Sequence, residues 1–165
     1  MDDEHADPLS ESRPPTISDL IKICRELNKN NVKYVIVGGM AMIQAGYLRA
    51  TEDIDLLLDS STENIERVKL SLAFLPENAI KEVLPSDIDE YVVVRVVDEI
   101  VIDLMKSACG ITFNEAQQFI NVQMIDGVKI PVASPEILWK MKQTLREKDT
   151  LDLLFLKELL NKEIK

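Results

Sequence analysis

Three aspartates in this sequence have the spacing of a shared metal site. Asp53 and Asp55 lie two residues apart at the start of an apolar run, so on a strand both side chains point to the same face. Asp103 lies within a second apolar run, where a buried carboxylate needs a metal ion, a cation or hydrogen bonds. If the two strands are neighbours, the three carboxylates converge, and such oxygen ligands suit Mg²⁺.

A pair of glycines supplies the second chemical feature. Gly38-Gly39 follows the apolar run 34–37 and precedes a short helical pattern. A backbone without Cβ atoms lets phosphate oxygens approach N–H groups at that point. Three carboxylates can hold two Mg²⁺ ions, or Mn²⁺ in their place, for an in-line displacement at phosphorus. In such a reaction, one ion lowers the pKa of an attacking hydroxyl and Asp103 receives its proton.

Each feature has a commoner structural explanation when it is taken alone. A Gly-Gly pair after a strand is usually a turn, an Asp-x-Asp at a strand start is usually a helix cap or a solvated edge, and Asp103 fits a hydrogen-bonded core acid equally well. The combination along one chain is rarer than its parts and favours the metal site. A phosphatase of the haloacid dehalogenase type fits less well, because its nucleophile follows a hydrophobic strand, whereas Asp53 precedes one.

Hydrophobic periodicity predicts the elements that must position these residues. Alternating or β-branched runs predict strands at 33–37, 54–58, 91–97, 100–105, 121–125 and 128–132. Helical spacing predicts helices at 17–28, 40–46, 60–75, 111–119, 134–145 and 150–162. Two-residue hairpin turns are predicted at 98–99 and 126–127, and a loop at 77–90. Thr16 or Ser18 is available to cap the first helix, and Ser60 with Glu63 has the spacing of a capping box.

These elements predict an α+β fold, a small mixed β-sheet flanked by helices, with a short helical C-terminal portion. Residues 1–15 are acidic, polar and rich in proline, and we expect them to be a disordered leader. Residues 16–133 are expected to form the core, and residues 134–165 to form helices packed on it. The Leu-rich last helix offers a face for a homodimer.

Composition and charge limit the classes of partner. The chain has 165 residues, of which 46% are apolar, as expected for one domain. No stretch approaches the roughly 18 apolar residues that a membrane span needs, so we expect a cytoplasmic protein without a membrane partner. The net charge of −10 argues against broad nonspecific binding of nucleic acid. Only residues 134–165, with 7 Lys+Arg and 6 Asp+Glu, lack an acidic excess, so cations that bind a polyphosphate are expected there.

Histidine and cysteine chemistry has little support. The only histidine is His5, in the expected leader. Cys24 and Cys109 are far apart in sequence and lie in apolar patterns, so both are expected to be buried free thiols rather than a disulfide. A Cys/His zinc site is therefore not expected.

The candidate residues belong to two longer motifs. The first is Gly38-Gly39 followed by Arg49-Ala50-Thr51-Glu52-Asp53-Ile54-Asp55, and the second runs from Ser134-Pro135-Glu136 through Lys142 and Arg146 to Asp149 and Asp152. The first motif resembles the signature of the DNA polymerase β-like nucleotidyltransferase superfamily, in the form of the AbiEii-type toxins. The second is similar to the C-terminal segment of that group. Together they cover residues 32–160.

The resemblance implies a nucleotidyltransferase fold and a role for each motif residue. Asp53, Asp55 and Asp103 are implied as catalytic residues and metal ligands. Contacts with a nucleoside triphosphate (NTP) are implied for Gly38, Gly39, Arg49, Thr51 and Lys142. Two alternatives stay open: Arg49 could instead pin its loop by pairing with an acid such as Glu52 or Asp53, and Arg146 with Asp149 could instead join the last two helices.

The resemblance also implies an activity, the magnesium-dependent transfer of a nucleoside monophosphate from an NTP to a hydroxyl. The acceptor would be an RNA 3′ end, a protein or a small molecule. A toxin of a toxin–antitoxin pair would have an antitoxin protein as its partner. The alternative is a catalytically silent module that keeps the fold and binds a nucleotide or another protein.

Overall fold

The computed structural model describes residues 12–144 and 146–164. Its strands are β1 (Tyr34–Val37), β2 (Asp53–Leu58), β3 (Val94–Val97), β4 (Val101–Met105), β5 (Ser107–Ala108), β6 (Ile111–Thr112), β7 (Ile120–Ile125) and β8 (Val128–Ala133). In the described part of the chain, six of them form one sheet in the order β3-β4-β2-β1-β8-β7, and β5 and β6 form a separate ribbon. β2 runs antiparallel to β1 and parallel to β4, so the sheet is mixed.

Helices flank this sheet. They are α1 (Ile17–Lys29), α2 (Gly38–Gln44), α3 (Thr62–Leu72), α4 (Pro85–Glu90), α5 (Phe113–Ala116), α6 (Pro135–Met141) and α7 (Glu147–Ile164). Short 3₁₀ segments lie at Ala79–Glu82 and Gln117–Phe119. α1 contacts α3 and β8, whereas α2 contacts β1 and β2. The predicted α+β fold with a small mixed sheet is confirmed.

The core forms around β2. Its apolar residues Ile54, Leu56, Leu57 and Leu58 are buried, because both neighbouring strands and the helices cover this strand. Burying such side chains stabilises the fold by roughly 1.5–3 kcal/mol each. Only the two aspartates of β2 stay partly exposed. The strand that carries them is therefore fixed in position by its own core residues.

The first helix shows how local sequence sets an element. Thr16 caps α1, since its hydroxyl accepts the backbone N–H of Asp19 at 3.3 Å and the Asp19 carboxylate accepts the N–H of Thr16 at 2.7 Å. Of the two predicted caps, Thr16 and Ser18, the first is the one used. Leu20, Ile23 and other apolar residues at helical spacing are buried against the sheet.

The C-terminal residues form two helices. Ser134 caps α6, and its hydroxyl accepts the N–H of Ile137 at 3.5 Å. α6 contacts α2, β8 and α7. The predicted helix 134–145 ends earlier, at Met141, and Leu145 lies outside the described residues. Among the described helices, none combines the length and the apolar character needed to cross a membrane.

Two predictions around the β3–β4 hairpin are wrong. The predicted loop 77–90 contains α4, because Pro85 occupies the first turn and the Asp87 carboxylate accepts the N–H of Leu84 at 2.8 Å. The turn between β3 and β4 is also longer than the two residues 98–99. Asp98 is buried because its carboxylate accepts the backbone N–H groups of Glu77 and Ala79, at and just before the first 3₁₀ segment, which holds this turn against that segment.

Three smaller predictions also need correction. Ser61, not Ser60, caps α3, because its hydroxyl accepts the N–H of Asn64 at 3.2 Å. The predicted helix 111–119 is shorter, since its first two residues pair with β5. Cys109 is exposed rather than buried because it lies in the turn between β5 and β6 with φ +48°. Cys24 is buried, as predicted.

The expected leader differs from the structure over its last residues. Residues 1–11 lie outside the described part of the chain. Ser12, however, donates its hydroxyl to the carbonyl of Asp98 at 2.7 Å. Arg13 donates its backbone N–H to the carbonyl of Glu99 at 3.0 Å and pairs with Asp19 at 2.7 Å. Residues 12–15 therefore belong to the folded unit, because a hydrogen-bonded arginine fixes them in front of α1.

Candidate active site

The sheet brings the three aspartates together on β2 and β4. These strands are parallel and in register, so Asp55 is the Cα partner of Asp103 and Asp53 is the partner of Val101. One carboxylate oxygen from each of Asp53, Asp55 and Asp103 lies within 4.8 Å of the other two. The sequence predicts this convergence on the condition that the two strands are neighbours, and the structure meets that condition.

Burial and mutual repulsion make this carboxylate cluster receptive to a cation. Burial and then the charges of Asp53 and Asp103 raise the pKa of Asp55 to about 8. Burial and the charge of Asp103 likewise raise the pKa of Asp53. Oδ1 of Asp55 is buried and accepts no hydrogen bond from the described residues. A buried carboxylate oxygen without a partner, beside two more carboxylates, fits a hard divalent cation, which these three aspartates would hold.

Arg95 is a member of the site that the sequence analysis misses. Its Nε and Nη2 donate to the two oxygens of Asp103 at 2.9 Å each, and Nη2 reaches Asp53 at 3.2 Å. These contacts, first the hydrogen bond with Asp103, raise the pKa of Arg95. The signal is present in the sequence: the apolar runs of β3 and β4 each hold one charged residue, and the hairpin register places the two opposite each other.

Close contacts explain the two glycines. Gly38 has φ +68°, and a Cβ at that position would overlap the carboxylate of Asp55. A Cβ on Gly39 would overlap the hydroxyl of Thr51. That hydroxyl donates to the carbonyl of Asp53 at 3.1 Å. The glycines therefore let the end of β1 lie directly against the residues that precede and begin β2.

A carboxylate on α7 holds two of the cations implied to bind the NTP. Asp152 is buried and accepts Nη1 of Arg49 at 2.8 and 2.6 Å, and Nζ of Lys142 lies 3.0 Å from the same carboxylate. Arg49 therefore pins its loop by pairing with an acid, as the alternative predicts, and that acid is Asp152 rather than Glu52 or Asp53. A buried carboxylate offers a less screened partner than the exposed Glu52, and Asp53 is bonded to another arginine.

Asp149, a second carboxylate on α7, holds further cations beside the site. Asp149 accepts hydrogen bonds from Thr144 Oγ1 at 2.5 Å and Arg146 Nε at 2.7 Å, and lies 3.4 Å from Lys142 Nζ. Burial acts to raise the pKa of Asp149, but the hydrogen bonds from Thr144 and Arg146 lower it, and it lies below its usual value. Asp149 thus joins the two C-terminal helices through Lys142, the residue at the end of α6, whereas Arg146 pairs with Asp149 within the start of α7.

A cavity of about 340 Å³ lies between the carboxylates and the cations. Such a volume falls within the range of roughly 300–1,000 Å³ found for small-molecule sites. Of the residues predicted to contact NTP, Gly39, Arg49, Thr51 and Lys142 line this cavity. Gly38 lines an adjoining cavity that also contains Asp55 and Asp103. The arrangement can hold a metal ion at one end of a polyphosphate and neutralise phosphates at the other.

The fold and this site define a class of enzyme, the nucleotidyltransferases. Within that class, the chain belongs to the aminoglycoside-2''-adenylyltransferase family, whose model matches residues 19–156. The match includes each residue that the sequence predicts for the site. The superfamily that the motifs resemble is therefore confirmed. Comparison with curated proteins gives no match.

Solved structures support the same fold. A protein from Thermotoga maritima, described as a "putative nucleotidyltransferase", is similar to this chain with a TM-score of 0.53. The two are 18% identical, and the match covers 88% of this chain and 92% of the other. At that identity, the likeness establishes the fold alone.

Proposed function

We propose that this nucleotidyltransferase uses magnesium to move a nucleoside monophosphate from an NTP to a hydroxyl of a small cationic acceptor of the aminoglycoside kind. The observation that carries the proposal is the meeting of Asp53, Asp55 and Asp103 within 4.8 Å, with a buried Asp55 oxygen that has no partner among the described residues. Such an oxygen destabilises the fold unless a cation lies beside it. Oδ1 of Asp149, the other oxygen of this kind among the described residues, has the ammonium group of Lys142 at 3.4 Å.

The proposed chemistry is one displacement at phosphorus. The acceptor oxygen bonds to the α-phosphorus, the bond from that phosphorus to the bridging β-phosphate oxygen breaks, and pyrophosphate leaves. Asp103 receives the proton of the attacking hydroxyl. Bound Mg²⁺ would supply the positive charge that polarises the phosphate and acidifies the hydroxyl. Asp53 and Asp55 orient the phosphate by holding that charge at a fixed point of the sheet.

The triphosphate would lie along the cavity towards the C-terminal helices. Lys142 is buried and oriented by two carboxylates, so its ammonium group is fixed before the substrate arrives. Arg146 is held by Asp149 through its Nε, but its side chain is 62% exposed and lines the cavity, so the rest of its guanidinium would contact a terminal phosphate. Arg49 and Thr51 line the same cavity and keep the loop before β2 in place. The cationic segment predicted from charge thus lies on the side where phosphates would bind.

Charge and family favour a cationic acceptor. The family description names an aminoglycoside as acceptor for its members, and aminoglycosides are polyols that carry several ammonium groups. A chain with a net charge of −10 attracts such a molecule and repels a polyanion. RNA is therefore a weaker choice of acceptor than a small cationic polyol. Such a reaction needs only an NTP, Mg²⁺ and the acceptor.

A labelling experiment tests the proposal. The protein is incubated with ATP labelled on the α-phosphate, Mg²⁺ and a panel of aminoglycosides, and the products are separated by mass and charge. We expect label on the acceptor for wild type and none for the double variant Asp53→Ala/Asp55→Ala. The double variant Glu63→Ala/Glu66→Ala loses the same charge from the exposed surface of α3 and should keep the activity. Equal labelling by both double variants would overturn the assignment.

A toxin of the AbiEii type is the second candidate. The observation that favours it is the contact of Asp152 with Arg49, which joins the two motifs that resemble this group. Its acceptors would be a tRNA or a protein, and an antitoxin would be its partner. The same labelled NTP, offered with total tRNA and with cell extract, separates the candidates. Magnesium-dependent NTP binding without transfer to any acceptor would instead support the catalytically silent module.

A further inference from the structure

Arg95 binds two of the three carboxylates of the proposed metal site. It takes both oxygens of Asp103, each at 2.9 Å, and Oδ2 of Asp53 at 3.2 Å. A guanidinium presents a rigid planar fork that matches a carboxylate, and Arg95 binds Asp103 in this bidentate way. Asp55 is the one member of the cluster that Arg95 does not contact by a hydrogen bond or ion pair.

A divalent cation and this guanidinium compete for these carboxylates. A magnesium ligand oxygen lies about 2.0–2.1 Å from the ion, so an ion on Asp53 and Asp103 would stand in close contact with the bound guanidinium. Two cations at that separation repel each other in a site this little hydrated. Either the ion stays weakly bound or the guanidinium leaves the carboxylates.

The side chain of Arg95 has space to move away from the two carboxylates. Its side chain is 54% exposed, whereas that of Asp103 is 8% exposed. It lies on β3, an edge strand of the sheet in the described part of the chain. Its side chain lines both the cavity that holds Lys142 and a neighbouring cavity beside Arg13. The guanidinium can therefore swing into solvent while the aspartates, which are anchored in parallel strands, stay in place.

We propose that Arg95 is an exchangeable internal cation that competes with the metal ion for Asp53 and Asp103 and is displaced when the ion binds. This inference rests on the proposed metal site and adds a residue that sets its affinity. Arg95 is therefore a positioning residue. It holds the two carboxylates in place before the ion binds and releases them when the ion binds. A permanent structural partner of Asp103 would instead stay bonded to it whether or not metal is present.

Binding of Mn²⁺, measured by the electron paramagnetic resonance signal of the free ion, tests the competition without any activity assay. We expect Arg95→Met to bind Mn²⁺ roughly tenfold more tightly than wild type, as expected for removal of one charge at contact distance. Arg95→Lys, which keeps the charge but not the fork, should fall between them. Arg67→Met removes an equal charge from a pair with Glu63 on α3 and should bind like wild type. Unchanged or weaker binding by both Arg95 variants would overturn the proposal.

Displacement has its own readout. The Arg95 Nε–H resonance, identified by its loss in Arg95→Lys, should move and exchange faster with water as MgCl₂ is added. A resonance that stays unchanged at saturating Mg²⁺ would contradict displacement. Failure of the metal site itself is distinguishable, because wild type would then bind Mn²⁺ no better than Asp53→Ala/Asp55→Ala. If Arg95→Met folds poorly, Arg95→Lys still shows the direction of the change.

Discussion

Arg49 donates two hydrogen bonds to Asp152 from a single nitrogen, at 2.8 and 2.6 Å, across 103 positions of sequence. The same carboxylate lies 3.0 Å from Lys142 Nζ. One buried acid on the last helix thus connects the loop that leads into β2 with the cation nearest the proposed triphosphate. The position of α7 and the geometry of the site are therefore coupled.

This coupling predicts that Asp152→Asn weakens nucleotide binding although Asp152 touches no substrate. Loss of the charge leaves Arg49 and Lys142 without their shared partner, so we expect roughly tenfold weaker binding of ATP and a loss of about 3 kcal/mol in unfolding free energy. Calorimetric titration and denaturant unfolding measure the two quantities. Glu158→Gln, at an exposed position of the same helix, is the control. Wild-type ATP affinity in Asp152→Asn would show that the cations need no orientation from α7.

Gly38→Ala should disturb the carboxylate cluster, since the added Cβ meets Asp55. Gly127→Ala is a matched control: Gly127 also has a positive φ, +78°, but its Cβ would meet nothing within 4 Å. Both substitutions should destabilise the fold by about 1–2 kcal/mol through backbone strain. Only Gly38→Ala should also lose Mn²⁺ affinity. Equal Mn²⁺ affinity of the two variants would mean that Gly38 is required for its backbone turn and not for the geometry of the carboxylate cluster.

The raised pKa of Asp55 predicts how stability depends on pH. A carboxyl with a pKa of about 8 in the folded state and 3.8 in the unfolded state holds its proton more tightly when folded. Its contribution to the unfolding free energy is therefore complete below pH 3.8 and is lost as the pH rises through 8. In a buffer with chelator, the unfolding free energy should therefore fall from pH 5 to 8, by up to about 1.4 kcal/mol per pH unit. Asp55→Asn should flatten this dependence on pH. Equal slopes for wild type and Asp55→Asn would contradict the raised pKa of Asp55.

The two thiols should differ in reactivity. Cys109 is exposed, whereas Cys24 is buried and its burial raises the pKa of its thiol to about 12. A thiol reagent such as dithionitrobenzoate should react with one thiol in the native protein and with two in denaturant. Cys109→Ser should leave no thiol that reacts in the native state. Rapid reaction of Cys109→Ser without denaturant would show that local opening around α1 exposes Cys24.

Local pattern is enough to predict the metal-binding half of the site. Asp53 and Asp55 share a face because strands alternate, and Asp103 stands out as the one acid in an apolar strand. The existence of these strands follows from apolar and β-branched runs, although β3 begins at Val94 and not at residue 91 as predicted. What remains conditional is that β2 and β4 are neighbours, because pairing between distant strands depends on the whole chain.

The cationic half is only partly predictable. Charge indicates only the segment 134–165, and the family resemblance indicates Lys142 within it. The partner of Arg49 depends on how α7 docks, and helical periodicity does not specify docking. Arg95 is missed because its role depends on a hairpin register, and the turn that sets this register is lengthened by the burial of Asp98. Short helices such as α4 are missed because one proline and one capping carboxylate outweigh an acidic, loop-like composition.

The most direct test of nucleotidyl transfer at the carboxylate cluster compares wild type with Asp103→Asn. ATP labelled on either the α- or the γ-phosphate is supplied with Mg²⁺ and an aminoglycoside acceptor. Wild type should place the α label on the acceptor and release the γ label as pyrophosphate. Asp103→Asn should lower that rate about 10²–10⁴-fold, the usual contribution of a general base. Transfer of the γ label, or a wild-type rate in Asp103→Asn, would contradict the proposed chemistry.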